Sequence, residues 1–321
     1  MVIAGISKRA LIIVACGSAF VAASGHAFAQ ATGPREITGR ARPEAATQGR
    51  ATTYRLNALA SHTFETKLKD GPGKSSVTRA AAGFGIGLPI AEASSLDFDV
   101  SSELSWYDWK DATGFVAGKD TPVRDTYDTS FSARFSTQLD DKWIGFVGAD
   151  INSSAEWGAD FGDSLTYGGV IGATYLASES FSIGIALAAQ TRLEEDARFL
   201  PVPIFDWRIN EQWRLGTSAG RSMRLSYAPS KTWLVFADVG FENSEYRLDN
   251  DGSTPDGVFR DTRVPVSLGV AYMPTERVTL SLLGGFNVYR EFILDDKNGN
   301  RVHKDKSKPS PVLAALVRVS F

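Results

Sequence analysis

The 321-residue chain is short of the residues that staple or catalyse: it holds one cysteine, three histidines and three methionines. Cys16 lies inside an apolar N-terminal stretch, "ALIIVACGSAFVAA". With that stretch removed, no disulfide, thiol nucleophile or Cys-ligated metal remains to be built. After residue 30 no run approaches the roughly 20 apolar residues of a membrane-spanning helix, and a mean hydropathy of −0.13 excludes a polytopic helical protein. An excess of positive charge is also missing. The formal net charge is −3, and without Lys8 and Arg9 the chain keeps 32 of its 34 basic residues against 37 acidic ones. That balance does not suit nucleic-acid binding. No "GxSxG" occurs, and no Gly-rich loop leads into a helix, so neither a nucleophile elbow nor a nucleotide cradle is expected.

The first residues read as a secretory signal over 1–29. Lys8 and Arg9 form the charged start, the apolar stretch follows, and Ala27-Phe28-Ala29 supplies a small-x-small cleavage site. A rival reading takes "IVAC" as a lipoprotein box with Cys16 lipidated, but the apolar stretch before Cys16 is very short and the better cleavage site lies downstream. Residues 30–52 carry Pro, Gly, Ala and four arginines without apolar period, and read as a flexible periplasmic lead-in.

What the chain does have is 30 glycines, an aromatic content of 11% and sustained alternation from Tyr54 to Phe321. Leu96, Phe98, Val100, Leu104 and Trp106 alternate with Asp97, Asp99, Ser101, Glu103 and Ser105, and other segments behave likewise. Alternation over this length is a strand signal. The connections alternate between tight ("DDK", "SES", "NEQ", "PTER") and long polar ones, with "SAGR" the exception. Trp and Tyr gather near strand ends, among them Trp143, Tyr175, Trp213, Tyr227, Trp233 and Tyr272. One-sided loop lengths and aromatic girdles define an outer-membrane barrel. The expected fold is therefore all-β: a transmembrane antiparallel up-and-down barrel over 53–321 with about 14 strands, or 12 as the alternative. The uncertain part is "PVPIFDWRINEQWRLGTSAGRSMRLSYAP", split here into three short strands over 203–209, 213–217 and 222–228.

The chain ends on "PVLAALVRVSF". Its Leu313, Val317, Val319 and Phe321 resemble the terminal signature of bacterial outer-membrane barrels, in which alternating apolar residues close on Phe. The resemblance implies recognition of this last strand by the barrel-insertion machinery. The segments "PIFDWRINEQWRLGT" and "MRLSYAPSKTWLVFADVGFE" resemble an uncharacterised family of such barrels, with a "DWxI…W" hairpin before an "LSY" strand. That resemblance implies outer-membrane localisation and contact with lipid and lipopolysaccharide, and transfers no site residues.

With the apolar face on lipid, the other parity lines the lumen. It carries Arg79, Arg134, Arg192, Arg208, Arg214, Arg224, Arg263 and Arg318, and Asp97, Asp99, Glu103, Asp128, Asp150, Asp206, Asp238 and Glu242. Arginine pairs bidentately with carboxylates, so the two sets either cross-link the interior or form a constriction that selects a charged solute. No enzyme is expected. His62 falls on the lipid-facing parity and His303 in a loop among Lys304, Asp305 and Lys306, and neither has a serine partner in any motif. Asp296, Asn298 and Asn300 have calcium-loop spacing, but Arg301 replaces the glycine and Ser307 the bidentate Glu. They read as turn formers, and no metal or cofactor is expected. The function expected is a passive channel for a small solute, charged or neutral. The alternative is a closed structural or surface-interaction barrel.

Overall fold

The computed structural model describes residues 51–115, 121–218, 222–252 and 254–321. The signal segment with Cys16, and the lead-in up to residue 50, lie outside the described residues. Sixteen strands form one sheet: β1 (Thr53–Lys67), β2 (Lys74–Ala91), β3 (Ser94–Lys110), β4 (Asp125–Gln138), β5 (Trp143–Glu156), β6 (Leu165–Leu176), β7 (Phe181–Gln190), β8 (Arg198–Arg208), β9 (Trp213–Ser218), β10 (Ser222–Tyr227), β11 (Trp233–Gly240), β12 (Glu242–Arg247), β13 (Val258–Thr275), β14 (Val278–Asp295), β15 (Arg301–Lys306) and β16 (Ser310–Ser320). β11 and β12 are successive halves of one stave, broken at Phe241, and β15 and β16 are halves of another. The barrel thus has fourteen staves, not twelve. β16 pairs with β14 on one side and with β1 on the other, Leu56 facing Val319 and Thr63 facing Val312, so the cylinder is closed. Closure leaves no free sheet edge at this seam for another chain to pair with.

The outward parity is apolar and unprotected by protein: Ile185, Leu268, Leu282 and Phe286 are all more than half exposed. In water such a band would be untenable, and in lipid it is the natural outer surface. The short-turn end carries a repeated aromatic pairing. Trp143 stands opposite Tyr175, Trp213 opposite Tyr227 and Trp233 opposite Tyr272, with ring centroids 5.0, 4.8 and 4.8 Å apart. The turns that launch these tryptophans use side chains as backbone acceptors. Asp140 Oδ1 accepts from the Lys142 and Trp143 amides at 2.7 and 2.8 Å, and Asn210 Oδ1 from the Gln212 and Trp213 amides at 2.9 Å. Asx side chains make such turns because they reach their own backbone two residues on.

The long-loop half departs from a plain cylinder. At Phe241 the eleventh stave leaves β10, and β12 crosses to the far wall, where Arg247 bridges to Ala155 of β5 while β13 remains its partner on the other edge. A narrower cylinder of β1–β5 and β12–β15 thus rises above the short hairpin β9–β10. β8 is longer than its sequence suggests. It begins at Arg198, so "RFLPV" is strand and not loop. It pairs with β9 only at Asp206–Arg208, and above Asp206 it pairs with β7 alone among the described residues. Ser218 already pairs with Ser222, so β9 and β10 end together at this level. Pro201 and Pro203 explain why this edge is tolerated. They share the parity of Phe205, whose amide donates to Thr217 Oγ1 of β9 at 3.1 Å, so the two missing N–H groups fall on the unpaired side. Proline belongs on a sheet edge for this reason.

A bulge decides which side chains of β14 face inward. Val264 faces Tyr289 but Pro265 faces Asn287, so Val288 is an extra residue. Below it, Asn287 and Gly285 share the inner face; above it, that face passes to Arg290, Phe292 and Leu294, all buried. One inserted residue moves every later side chain to the other face.

Candidate functional site: a layered barrel interior

The interior has three tiers. The outermost, under the long loops, is apolar: Val77, Tyr107, Trp109, Phe115, Tyr246, Phe259, Phe292 and Leu294 form one buried cluster. Tyr107 and Trp109 continue the parity of Glu103 and Ser105, so the inner face turns apolar there. Trp109 and Phe292 lie 5.1 Å apart edge to face, and Tyr107 and Phe259 lie 5.4 Å apart. Aromatic rings at such separations pack as in a soluble core.

The middle tier is a charge cluster centred on Asp261, which is 0% exposed. Its carboxylate accepts from Arg290 Nε and Nη2 at 2.9 and 2.7 Å, from Arg79 Nη2 at 2.8 Å and from the Tyr107 hydroxyl at 3.0 Å. Arg79 also lies 3.4 Å from Glu103, and Arg263 pairs with Glu242. Asp128 joins from β4, facing Glu103 and accepting from Ser154 Oγ at 2.7 Å. These contacts run between β2, β3, β13 and β14, which are not all neighbours in the wall, so they tie the barrel across its inside. Of this cluster the sequence reading named Arg79, Glu103, Asp128, Arg263 and Glu242. It missed Asp261, although it shares the parity of Arg263 on β13, and Arg290, whose parity the bulge at Val288 reverses.

The innermost tier, toward the short turns, is wet. Arg55 reaches across β2 to Asp97 and Asp99 of β3 at 3.4 and 3.2 Å. Gly85 and Gly87 lie directly between these partners, and a Cβ on Gly85 would collide with Asp99. The Asp99 side chain is nevertheless 48% exposed. Arg214 pairs with Asp206, Arg224 with Asp238 at 2.6 Å, and Arg318 donates to Asn57 Oδ1 at 2.9 Å. Arg208 sits at the rim, donating to the Glu179 carbonyl, and Asp150 folds over Gly168. Arg192 is a correction: it lies beyond the end of β7, in the loop to β8, and pairs with Glu245 of β12. That loop docks onto the crossing strand through Glu194 to Arg247 at 2.6 Å, and onto β13 through Glu195 to Arg260 at 2.7 Å.

Two hairpins repeat one arrangement. "RFSTQLDDKWIGF" (134–146) and "RLSYAPSKTWLVF" (224–236) share Arg, Ser, Trp and Phe at identical spacing. In each, the Arg guanidinium lies on the Phe ring, 4.0 Å for Arg134 on Phe146 and 4.2 Å for Arg224 on Phe236. Each ring reaches over a glycine of the next stave, Gly172 or Gly269, which stands directly opposite it. This spacing was a readable signal that pattern alternation alone passes over. Gly172→Val is expected to force Phe146 off the wall, since a Cβ there would overlap the ring. Overpacking of this kind costs about 1–3 kcal/mol, to be read from denaturant unfolding of the micellar protein.

The remaining candidates resolve into ordinary roles. His62 Nδ1 lies 2.9 Å from Thr78 Oγ1 on the exposed outer face. His303 is on strand β15, not in a loop, its ring 4.5 Å from that of Phe115. In the loop after β14, the Asp296 carboxylate accepts from the Asn300 side chain and from the Asn300 and Asn298 amides, which hold its pKa below the usual range. Its oxygens thus close the turn.

A family profile described as "Domain of unknown function (DUF6268)" matches residues 119–321. No curated protein matches the chain. Among solved structures, an outer membrane channel from Pseudomonas putida F1 is similar at 10% identity, with 86% of this chain and 97% of that chain covered and a TM-score of 0.45. The P. putida toluene transporter TodX is similar at 10% identity, with 90% and 94% covered and a TM-score of 0.45. The NanC porin is similar at 9% identity, with 82% and 98% covered and a TM-score of 0.35.

Proposed function

From the premise that this outer-membrane barrel belongs to the DUF6268 family, we propose that it is a passive conduit for a small solute. The path runs beside β5–β11, because the β1–β5 and β12–β15 side is filled by the aromatic cluster and the Asp261 network. One observation carries this reading. Charged residues on the inner face of the short-turn half, Asp99 and Arg134, are exposed although they lie within the barrel. A lumen packed shut would have covered them, as it covers Asp261. The upper edge of β8, which pairs with β7 alone among the described residues, lies on the same side.

Single-channel recording in planar bilayers tests the conduit, with steady unitary currents as the expected result. The buried middle tier favours a second reading, a closed barrel whose loops face outward, and a complete lack of current would select it. The lumen charges also give the conduit a salt-dependent preference. Currents are expected to vary less between salts at high ionic strength, where screening shortens electrostatic reach to about 3 Å at 1 M.

A further inference from the structure

We infer that Arg134 and the apolar wall beside it form a binding site for a small amphipathic carboxylate, the charged head on the guanidinium and the apolar body along β5–β8. This inference rests on an accessible lumen in the short-turn half, and it adds to the conduit reading a ligand class and a place.

The two matched hairpins make the case. Arg224 and Arg134 occupy equivalent positions, each lying on its phenylalanine. Arg224 faces Asp238 across the pair β10–β11, and Asp238 takes it in two hydrogen bonds of 2.7 and 2.6 Å. Arg134 faces Gly148 at the corresponding place on β5. The carboxylate that satisfies one arginine is therefore missing from the other. On its opposite side Arg134 faces Asp97, but Asp97 is held by Arg55 at 3.4 Å, and among the described residues no carboxylate lies within ion-pair distance of Arg134. Arg134 is exposed to the lumen, whereas Arg224, the paired twin, is only 11% exposed at its side chain. A guanidinium with its fork open is a ready partner for a carboxylate, which it binds bidentately.

Beyond Arg134 the inner wall changes character. Phe146, Ala186 and Val202 are buried together, and the half-buried Val170, Ala188, Leu200 and Ile204 packed against them form the accessible part of the wall. Three stave spacings separate β5 from β8, about 14 Å of apolar surface. Its far end backs the edge of β8 that has no second partner among the described residues. A charged group fixed at one end of an apolar wall sorts amphiphiles, since neither a bare anion nor an uncharged chain uses both parts.

The test measures binding without requiring current, so its failure and that of the conduit reading can be told apart. The full mature chain is placed in nanodiscs, and radiolabelled hexanoate is equilibrated by dialysis against empty nanodiscs as the blank. Hexanoate is expected to bind more tightly than acetate or hexanol. Arg134→Gln is expected to weaken it about tenfold or more, the size of one lost charge-assisted pair, while Arg134→Lys retains part of the affinity. Gly148→Asp supplies the missing internal partner and is expected to abolish binding, with heat-modifiable gel mobility confirming a folded barrel. Unchanged affinity in folded Arg134→Gln or Gly148→Asp overturns the inference, as does hexanoate binding no better than acetate. Arg134-dependent binding in a protein that passes no current would uphold the site and remove the conduit.

Discussion

Asp261→Ala is expected to destabilise the barrel by about 3–5 kcal/mol, the cost of removing one partner from a buried ionic network. Asp261 is wholly buried and takes four short hydrogen bonds from Arg290, Arg79 and Tyr107 and a longer one of 3.5 Å from Arg263. Without it, Arg290 and Arg79, themselves 1% and 3% exposed, are left facing each other with Glu103 as their nearest compensation. The denaturant midpoint of the refolded protein in micelles gives the measurement. Asp261→Ala with Arg290→Met is expected to be less harmful than Asp261→Ala alone, because the second change removes the orphaned charge. Additive losses in the pair would mean that the carboxylate is not what holds these arginines. Opening of the middle tier has a second readout on the conduit reading: the single variant should gain a larger or noisier conductance than the parent, since this layer closes the narrower cylinder of β1–β5 and β12–β15.

Deleting Phe321 is expected to lower the amount of barrel in the outer membrane several-fold while leaving the stability of refolded protein nearly intact. The ring of Phe321 is 58% exposed and belongs to none of the buried clusters. Its backbone makes two hydrogen bonds with Tyr54, at 2.9 and 3.2 Å, which close the last rung of the β1–β16 seam. Their loss is worth about 1–3 kcal/mol in total, modest beside a seam that continues from Arg55 to Thr63. A large assembly defect with small loss of stability would place the role of Phe321 in recognition by the insertion machinery. Normal membrane levels of the deletion would show that the stripe is only a last strand. Membrane fractionation in the producing cell, paired with denaturant unfolding in vitro, separates the two.

The sequence by itself determined the class of fold, the closure and the orientation of most staves. Period-two alternation, one-sided loop lengths and terminal aromatics follow from a wall one residue thick between lipid and lumen, and each is a local property that a single strand can display. Pairs such as Arg214 with Asp206 and Arg224 with Asp238 were legible as opposite charges on one parity of adjoining strands. Only the tertiary structure decided which face is wet. Alternation distinguishes two faces of a strand without saying what covers either, so Tyr107, Trp109 and Phe292 line a sealed interior where the rule of apolar residues outward would place them on lipid. The bulge at Val288 reversed the parity of Arg290, and the departure of β12 from β10 joined the eleventh stave to β5. Both are choices among partners far apart in the chain, settled by packing energies that a local pattern does not carry. Arg134 illustrates the same limit. Its type and parity were visible at once, but that its carboxylate is missing became apparent only when Gly148 and Asp238 could be seen in equivalent places.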